Sequence, residues 1–198
     1  MKLVIATKNT NKVREIRDKL GKVPEMEILS LFDVADIPDI VEDGADFAEN
    51  AAKKALAVAE ATSLMALADD SGLVVDALDG APGIYSARYG GSGLTDSERC
   101  SLLLQRMATV PDGSRSARFV CAMALARPGT VLYAAEGICE GSITRAMRGE
   151  MGFGYDPVFL LEGSGLTMAE IGLDEKNRIS HRARALDEVL KFFERFTT

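Results

Sequence analysis

Apolar residues fall in two textures along this chain: short continuous runs, and positions that repeat at helical spacing. Residues 3–6, Leu-Val-Ile-Ala, read as a short buried strand; a polar turn at residues 8–11 follows, and Val13, Ile16 and Leu20 then recur at helical intervals until Gly21. Asp46, with Glu49 after it, makes a capping-box-like start to an Ala-rich stretch, residues 47–62, of strong intrinsic helix preference. The next run, residues 64–68, reads as a strand that ends in Asp69-Asp70-Ser71-Gly72 before Leu73-Val74-Val75 resumes an extended pattern. Two carboxylates are therefore expected at a strand terminus. Residues 80–93, rich in Gly with Pro82, read as loop, and Thr95 opens a helix carrying Leu102, Leu103 and Met107. Residues 117–126 and 131–143 are extended runs joined by Arg127-Pro128-Gly129-Thr130, the pattern of a long antiparallel hairpin and a candidate second lobe. The chain returns through residues 152–157 into a strand at 158–161 and ends in a helix from Ser180, with Leu186, Val189, Leu190 and Phe193 inward. The expected fold is mixed α/β. An elongated central sheet with flanking helices would form one two-lobed domain over residues 1–198, the lobes standing around a cleft.

Composition narrows this further. A length of 198 residues is about one domain, and 47% hydrophobic residues suffice for a proper core. A net charge of −7 disfavours a general nucleic-acid binder. No apolar run approaches the length of a membrane span or a signal-peptide core, so the expectation is a soluble, cytoplasmic protein without membrane or nucleic-acid partners. Cys100, Cys121 and Cys139 are odd in number and widely spaced, which fits reduced, buried thiols rather than a disulfide framework or a C-x-x-C pair. With a single histidine, His181, any hard metal would rest on Asp and Glu oxygens, and magnesium suits those.

Several segments could carry chemistry, each beside a plainer reading. Thr7-Lys8-Asn9-Thr10-Asn11-Lys12 lies between a strand and a helix, where free N–H groups and the helix dipole favour an anion. It lacks the ending of a P-loop, and alone it fits an ordinary polar N-cap better. Glu42-Asp43 and Asp69-Asp70 could bring oxygens from two segments around one Mg²⁺, or merely solvate turns. Successive strand side chains point to opposite faces, so Asp69 and Asp70 are expected to differ in role. Lys54 shares a helix face with Asn50; such a lysine usually decorates solvent, but facing a cleft it would neutralise phosphate. In Gly152-Phe153-Gly154-Tyr155-Asp156-Pro157, Phe153 could stack on a planar base and Asp156 accept from a ring N–H, or both aromatics could be core. Residues 176–182, Lys-Asn-Arg-Ile-Ser-His-Arg, place cations at the expected start of the last helix, against its dipole. By default His181 is a structural histidine and Arg182 a surface charge.

Together, Thr7 to Lys12, Asp69-Asp70-Ser71-Gly72-Leu73, Gly80-Ala81-Pro82-Gly83-Ile84-Tyr85-Ser86-Ala87-Arg88-Tyr89, Phe153-Gly154-Tyr155-Asp156-Pro157 and Ser180-His181-Arg182 resemble the inosine/xanthosine triphosphate pyrophosphatase family across nearly the whole chain. The resemblance implies a Mg²⁺-dependent homodimer, with Mn²⁺ as an alternative metal, that hydrolyses non-standard purine nucleoside triphosphates (ITP, dITP, XTP) to the monophosphate and pyrophosphate. By matching positions, Thr7, Asn9, Lys12 and Lys54 would hold the triphosphate, Glu42 and Asp70 would serve the metal, and Asp70 would also accept the proton, with Ser71 touching substrate beside it. Phe153, Gly154, Tyr155 and Asp156, with Lys176, His181 and Arg182, would form the base and sugar end. Lys8 stands where relatives often carry glycine. A pyrophosphatase for other modified nucleotides and a non-catalytic nucleotide-binding protein are the alternatives.

Overall fold

A computed structural model describes residues 1–21, 23–34 and 37–196. Six strands form one mixed sheet in the order β2-β1-β3-β4-β5-β6: β1 (Lys2–Ile5), β2 (Glu27–Ser30), β3 (Met65–Val75), β4 (Ser116–Arg127), β5 (Thr130–Ile143) and β6 (Phe159–Leu161). β1 pairs in parallel with β2 and β3, while β6 runs antiparallel to β5 in the register Gly141 to Leu161. The helices are α1 (Thr10–Leu20), α2 (Phe47–Thr62), α3 (Asp96–Arg106), α4 (Leu173–Ile179) and α5 (His181–Phe196). The mixed α/β class expected from the sequence is the class observed.

The chain divides into two compact units. One comprises Met1–Asp70, Cys121–Gly137 and Arg182–Thr198; the other comprises Ser71–Val120 and Ile138–His181. The β4–β5 hairpin is therefore not a lobe of its own, because both strands contribute to each unit. Only Pro128 and Gly129 join them, and Gly129 takes φ 75, the left-handed conformation that a tight reversal asks for.

In the first unit, strand alternation sorts side chains onto two faces. Leu3, Ile5, Leu67, Cys121, Met123 and Leu125 pack against Val13, Ile16 and Leu20 of α1 and Leu186, Val189 and Phe193 of α5. Val4, Ala6, Ala66, Ala68, Ala122, Ala124 and Ala126 pack against Ala51, Ala55, Val58 and Ala59 of α2. The second face is built almost wholly of alanine, which lets α2 lie close to the sheet. The second unit is organised around Leu73, Val75, Leu103, Met107, Phe119, Tyr155, Phe159, Met168 and Ile171.

Four local expectations need correction. The run at residues 64–68 does not stop at the acids: β3 continues to Val75, so Asp69 and Asp70 lie mid-strand. Both are buried, and the ladder with neighbouring strands outweighs the weak strand preference of Asp and Gly. Lys176 does not stand at the start of the last helix. It lies in the last turn of α4 with Arg178, where a cation agrees with the dipole, and only His181 and Arg182 open α5. The Asp46 side chain caps the Glu49 N–H at 2.8 Å, but Glu49 accepts from Ala45 N rather than completing the box at Asp46. Neither β2 nor α4 was anticipated, since both are too short to show a period.

Candidate active site

The α1 N-terminus is built by Asn9, whose side-chain oxygen accepts from the backbone N–H groups of Asn11 at 3.0 Å and Lys12 at 3.2 Å. The Thr7 hydroxyl accepts from Asn9 N at 3.2 Å. The plain reading of this turn, an N-cap, is thus correct for Asn9, and the same cap presents the first turn of α1 to an anion. Lys12, one turn in, carries its ammonium to Asp69 Oδ1.

Asp69 and Asp70 leave β3 on opposite faces and enter different charge clusters. On the α1/α5 face, Arg182 donates from Nε to Asp69 Oδ2 at 2.9 Å and from Nη1 to Glu15 Oε2 at 2.6 Å. Lys12, Arg182, Asp69 and Glu15 are two cations and two anions, a neutral set, with Asp69 and Arg182 each 1% exposed. Burial would raise the Asp69 carboxyl, but the charges of Arg182 and Lys12 outweigh it and hold the group well below the usual carboxylate range. Burial would likewise favour a neutral Arg182; Asp69 and Glu15 reverse that and keep the guanidinium charged. The Cys121 thiol donates to Asp69 Oδ2 at 3.1 Å and is pushed well up by burial.

On the α2 face, Lys54 Nζ meets Glu42 Oε1 at 2.6 Å and Asp70 Oδ1 at 2.9 Å. The lysine is 8% exposed, so it is not a solvent-facing side chain. Asp70 Oδ2 accepts from Asn50 Nδ2 at 3.2 Å, and Asn50 Oδ1 accepts from Gly44 N at 2.8 Å. Asn50 therefore ties the loop carrying Glu42 to the strand carrying Asp70. A side chain at Gly44 would lie 2.7 Å from Asn50 Oδ1, which explains glycine there. Burial raises the Asp70 carboxyl, Lys54 opposing, while Asp70 and Glu42 raise the Lys54 ammonium against its own burial. Two adjacent carboxyls are thus driven apart, Asp69 down and Asp70 up, a pattern typical of acid–base sites. Two carboxylates against one ammonium leave this cluster one negative charge in excess. Among the described residues no group of three or more His, Cys, Asp or Glu side chains is gathered for a metal. Glu42 and Asp70 bring two carboxylate oxygens to the same Lys54 ammonium; hard donors of this kind, one or two from a protein, are what Mg²⁺ takes when phosphate and water supply the rest.

The second unit assembles the other candidates. Asp156 Oδ2 accepts from Lys176 Nζ at 2.6 Å and from Phe153 N at 2.9 Å, and Lys176 lies 4.4 Å over the Phe153 ring. Tyr155, a core residue, donates its hydroxyl to Ser86 O at 2.9 Å, and His181 stacks on Phe119 at 4.8 Å. Ser71 is half-buried in β3. Sequence reasoning gave no site role to Glu15, Asn50 or Cys121, although Cys121 is the buried free thiol it expected. Asn50 left a trace, a polar residue inside an alanine-rich helix on the face of Lys54; Glu15 did so by its spacing from Lys12 on α1.

Fold and site define an α/β protein with the side chains that phosphate-anhydride chemistry uses: lysines, buried carboxylates and a capped helix N-terminus around one strand. The chain belongs to the Ham1 family, whose model matches residues 3–192. It is 47% identical over 195 residues to a dITP/XTP pyrophosphatase of Desulforamulus reducens, covering 98% of this chain and 96% of that one. It is 51% identical to a dITP/XTP pyrophosphatase of Thermus thermophilus, covering 98% and 92%. The solved structure of a HAM1 protein from Coxiella burnetii matches it with a TM-score of 0.90 at 39% identity, covering 98% and 99% of the two chains.

Proposed function

We propose that this chain is a nucleoside triphosphate pyrophosphatase that splits ITP, dITP and XTP into the monophosphate and pyrophosphate. Near-full-length similarity to proteins named dITP/XTP pyrophosphatase supports this. The observation that carries it is the charge cluster in which Glu42 and Asp70 converge on Lys54, one negative charge in excess, beside the Lys12–Asp69 pair. A magnesium-dependent cytoplasmic homodimer is the form the family resemblance implies. Among the described residues no helix is long and apolar enough to cross a membrane.

In this reading Glu42 and Asp70 would hold Mg²⁺, which would offset the charge of the phosphates. Thr7, Asn9 and the first turn of α1 bind phosphate oxygens through N–H and hydroxyl groups. Lys12 and Lys54 stabilise the pyrophosphate as it leaves. Asp70, raised by burial, takes the proton from the attacking water, with Asn50 fixing its second oxygen and Ser71 touching substrate beside it. Phe153 stacks on the base, held by Lys176 over its ring and by Asp156 at its N–H, with Gly154 and Tyr155 completing the loop and His181, stacked on Phe119, at the same end of the pocket. Arg182, 1% exposed and held by Asp69 and Glu15, would give a donor to the 6-keto group that inosine and xanthosine carry and adenine lacks by turning out of that cluster.

Asp70→Asn tests the central role. It should lower kcat by at least about a thousandfold while ITP still binds, measured by pyrophosphate release and by calorimetry. Near-normal turnover would remove Asp70 as the base.

A further inference from the structure

Gly152 and Gly154 both take left-handed conformations, at φ 82 and 63, within the short loop that carries Phe153. Such a loop is ordered only by its contacts. Two come from within: Asp156 holds Phe153 N, and Phe153 O accepts from Asp156 N at 3.3 Å. Two more come from α3. Asp96 Oδ2 accepts from Gly154 N at 2.7 Å, and the Cys100 thiol donates to Gly154 O at 3.3 Å. Asp96 and Cys100 are one helical turn apart, so one face of α3 grips both polar groups of a single glycine.

We propose that Asp96, assisted by Cys100, is a positioning residue for base recognition: it clamps Gly154 and so fixes the plane of Phe153. This rests on the base-end reading above. Asp96 is not needed to start α3, because Thr95 and Glu98 form a complete capping box. Its side chain is 56% exposed, with its other oxygen 3.5 Å from Arg99, so truncation leaves no buried void. The Cys100 thiol is pushed up to about 12 by burial and by the charges of Asp96 and Asp156, so it remains a protonated donor at neutral pH.

The test is steady-state pyrophosphate release from ITP by the full-length chain and its variants, with melting temperatures recorded. Asp96→Ala should raise KM about tenfold, the loss expected for a hydrogen bond to a charged acceptor, with kcat within about twofold. Asp96→Asn retains an acceptor oxygen and should return KM to within about threefold of wild type. Cys100→Ala should raise KM less. If Asp96→Ala leaves KM unchanged while Phe153→Ala raises it, the clamp is wrong and the base-end reading stands. If neither variant moves KM, both are wrong. An Asn variant as impaired as the Ala variant, or a fall in kcat alone, would overturn the clamp in favour of helix electrostatics or general destabilisation.

Discussion

Residue identity matters most at Asp69 and Asp70, where one peptide bond separates a carboxylate held by two cations from one that shares a lysine with Glu42. Removing Arg182 would leave Asp69 and Glu15 buried without their guanidinium. Arg182→Ala is therefore expected to cost roughly 3–5 kcal/mol, a large part of the about 5–15 kcal/mol of a typical domain, measured by urea denaturation. At temperatures where the variant is folded, its ITP-over-ATP preference should fall more than its turnover; an unchanged ratio would remove Arg182 from base reading. The depressed Asp69 carboxyl also sets a pH dependence. A carboxylate lower in the folded state than in the unfolded one adds stability above the unfolded value and loses it as pH falls toward the folded one. The urea midpoint should thus drop below about pH 4, and Asp69→Asn should flatten part of that drop. A midpoint independent of pH between 5 and 3, a range fixed by ordinary carboxylate values, would contradict this.

Elements with a clear period were legible in the sequence, and those whose shape comes from neighbours were not. α1 and α5 announced their buried faces by spacing, and α2 by its cap and alanines. β3 was broken in two because Asp, Ser and Gly look like a turn until flanking strands and buried cations are present to satisfy them. α4 has seven residues, too few to show a helical period, so the pattern alone sets Lys176 at the start of α5 rather than in the last turn of α4. The alanine face between α2 and the sheet predicts little tolerance for volume. Ala55→Leu should destabilise by about 1–3 kcal/mol, seen as a lowered melting temperature, whereas equal stability would mean that the layer has slack.

For the molecule as a whole, the order of motifs was more informative than any one of them. Taken singly, Lys54 reads as a surface lysine, Asp69-Asp70 as a turn and Phe153 as core; the structure places Lys54 against Glu42 and Asp70, and Lys176 over Phe153. Alternation along β3 predicts that the two acids differ in role, but not which partners each one takes. Those partners, Arg182 with Glu15 for Asp69 and Asn50 for Asp70, are distant in sequence and meet only in the fold. The measurement that tests the account most directly is pyrophosphate release from ITP, XTP, GTP, ATP and dTTP, with magnesium and again with EDTA. Metal-dependent release from ITP and XTP, with little from the others, is the predicted result. Equal release from all five would contradict the base-end reading, and no release from any would contradict the pyrophosphatase itself.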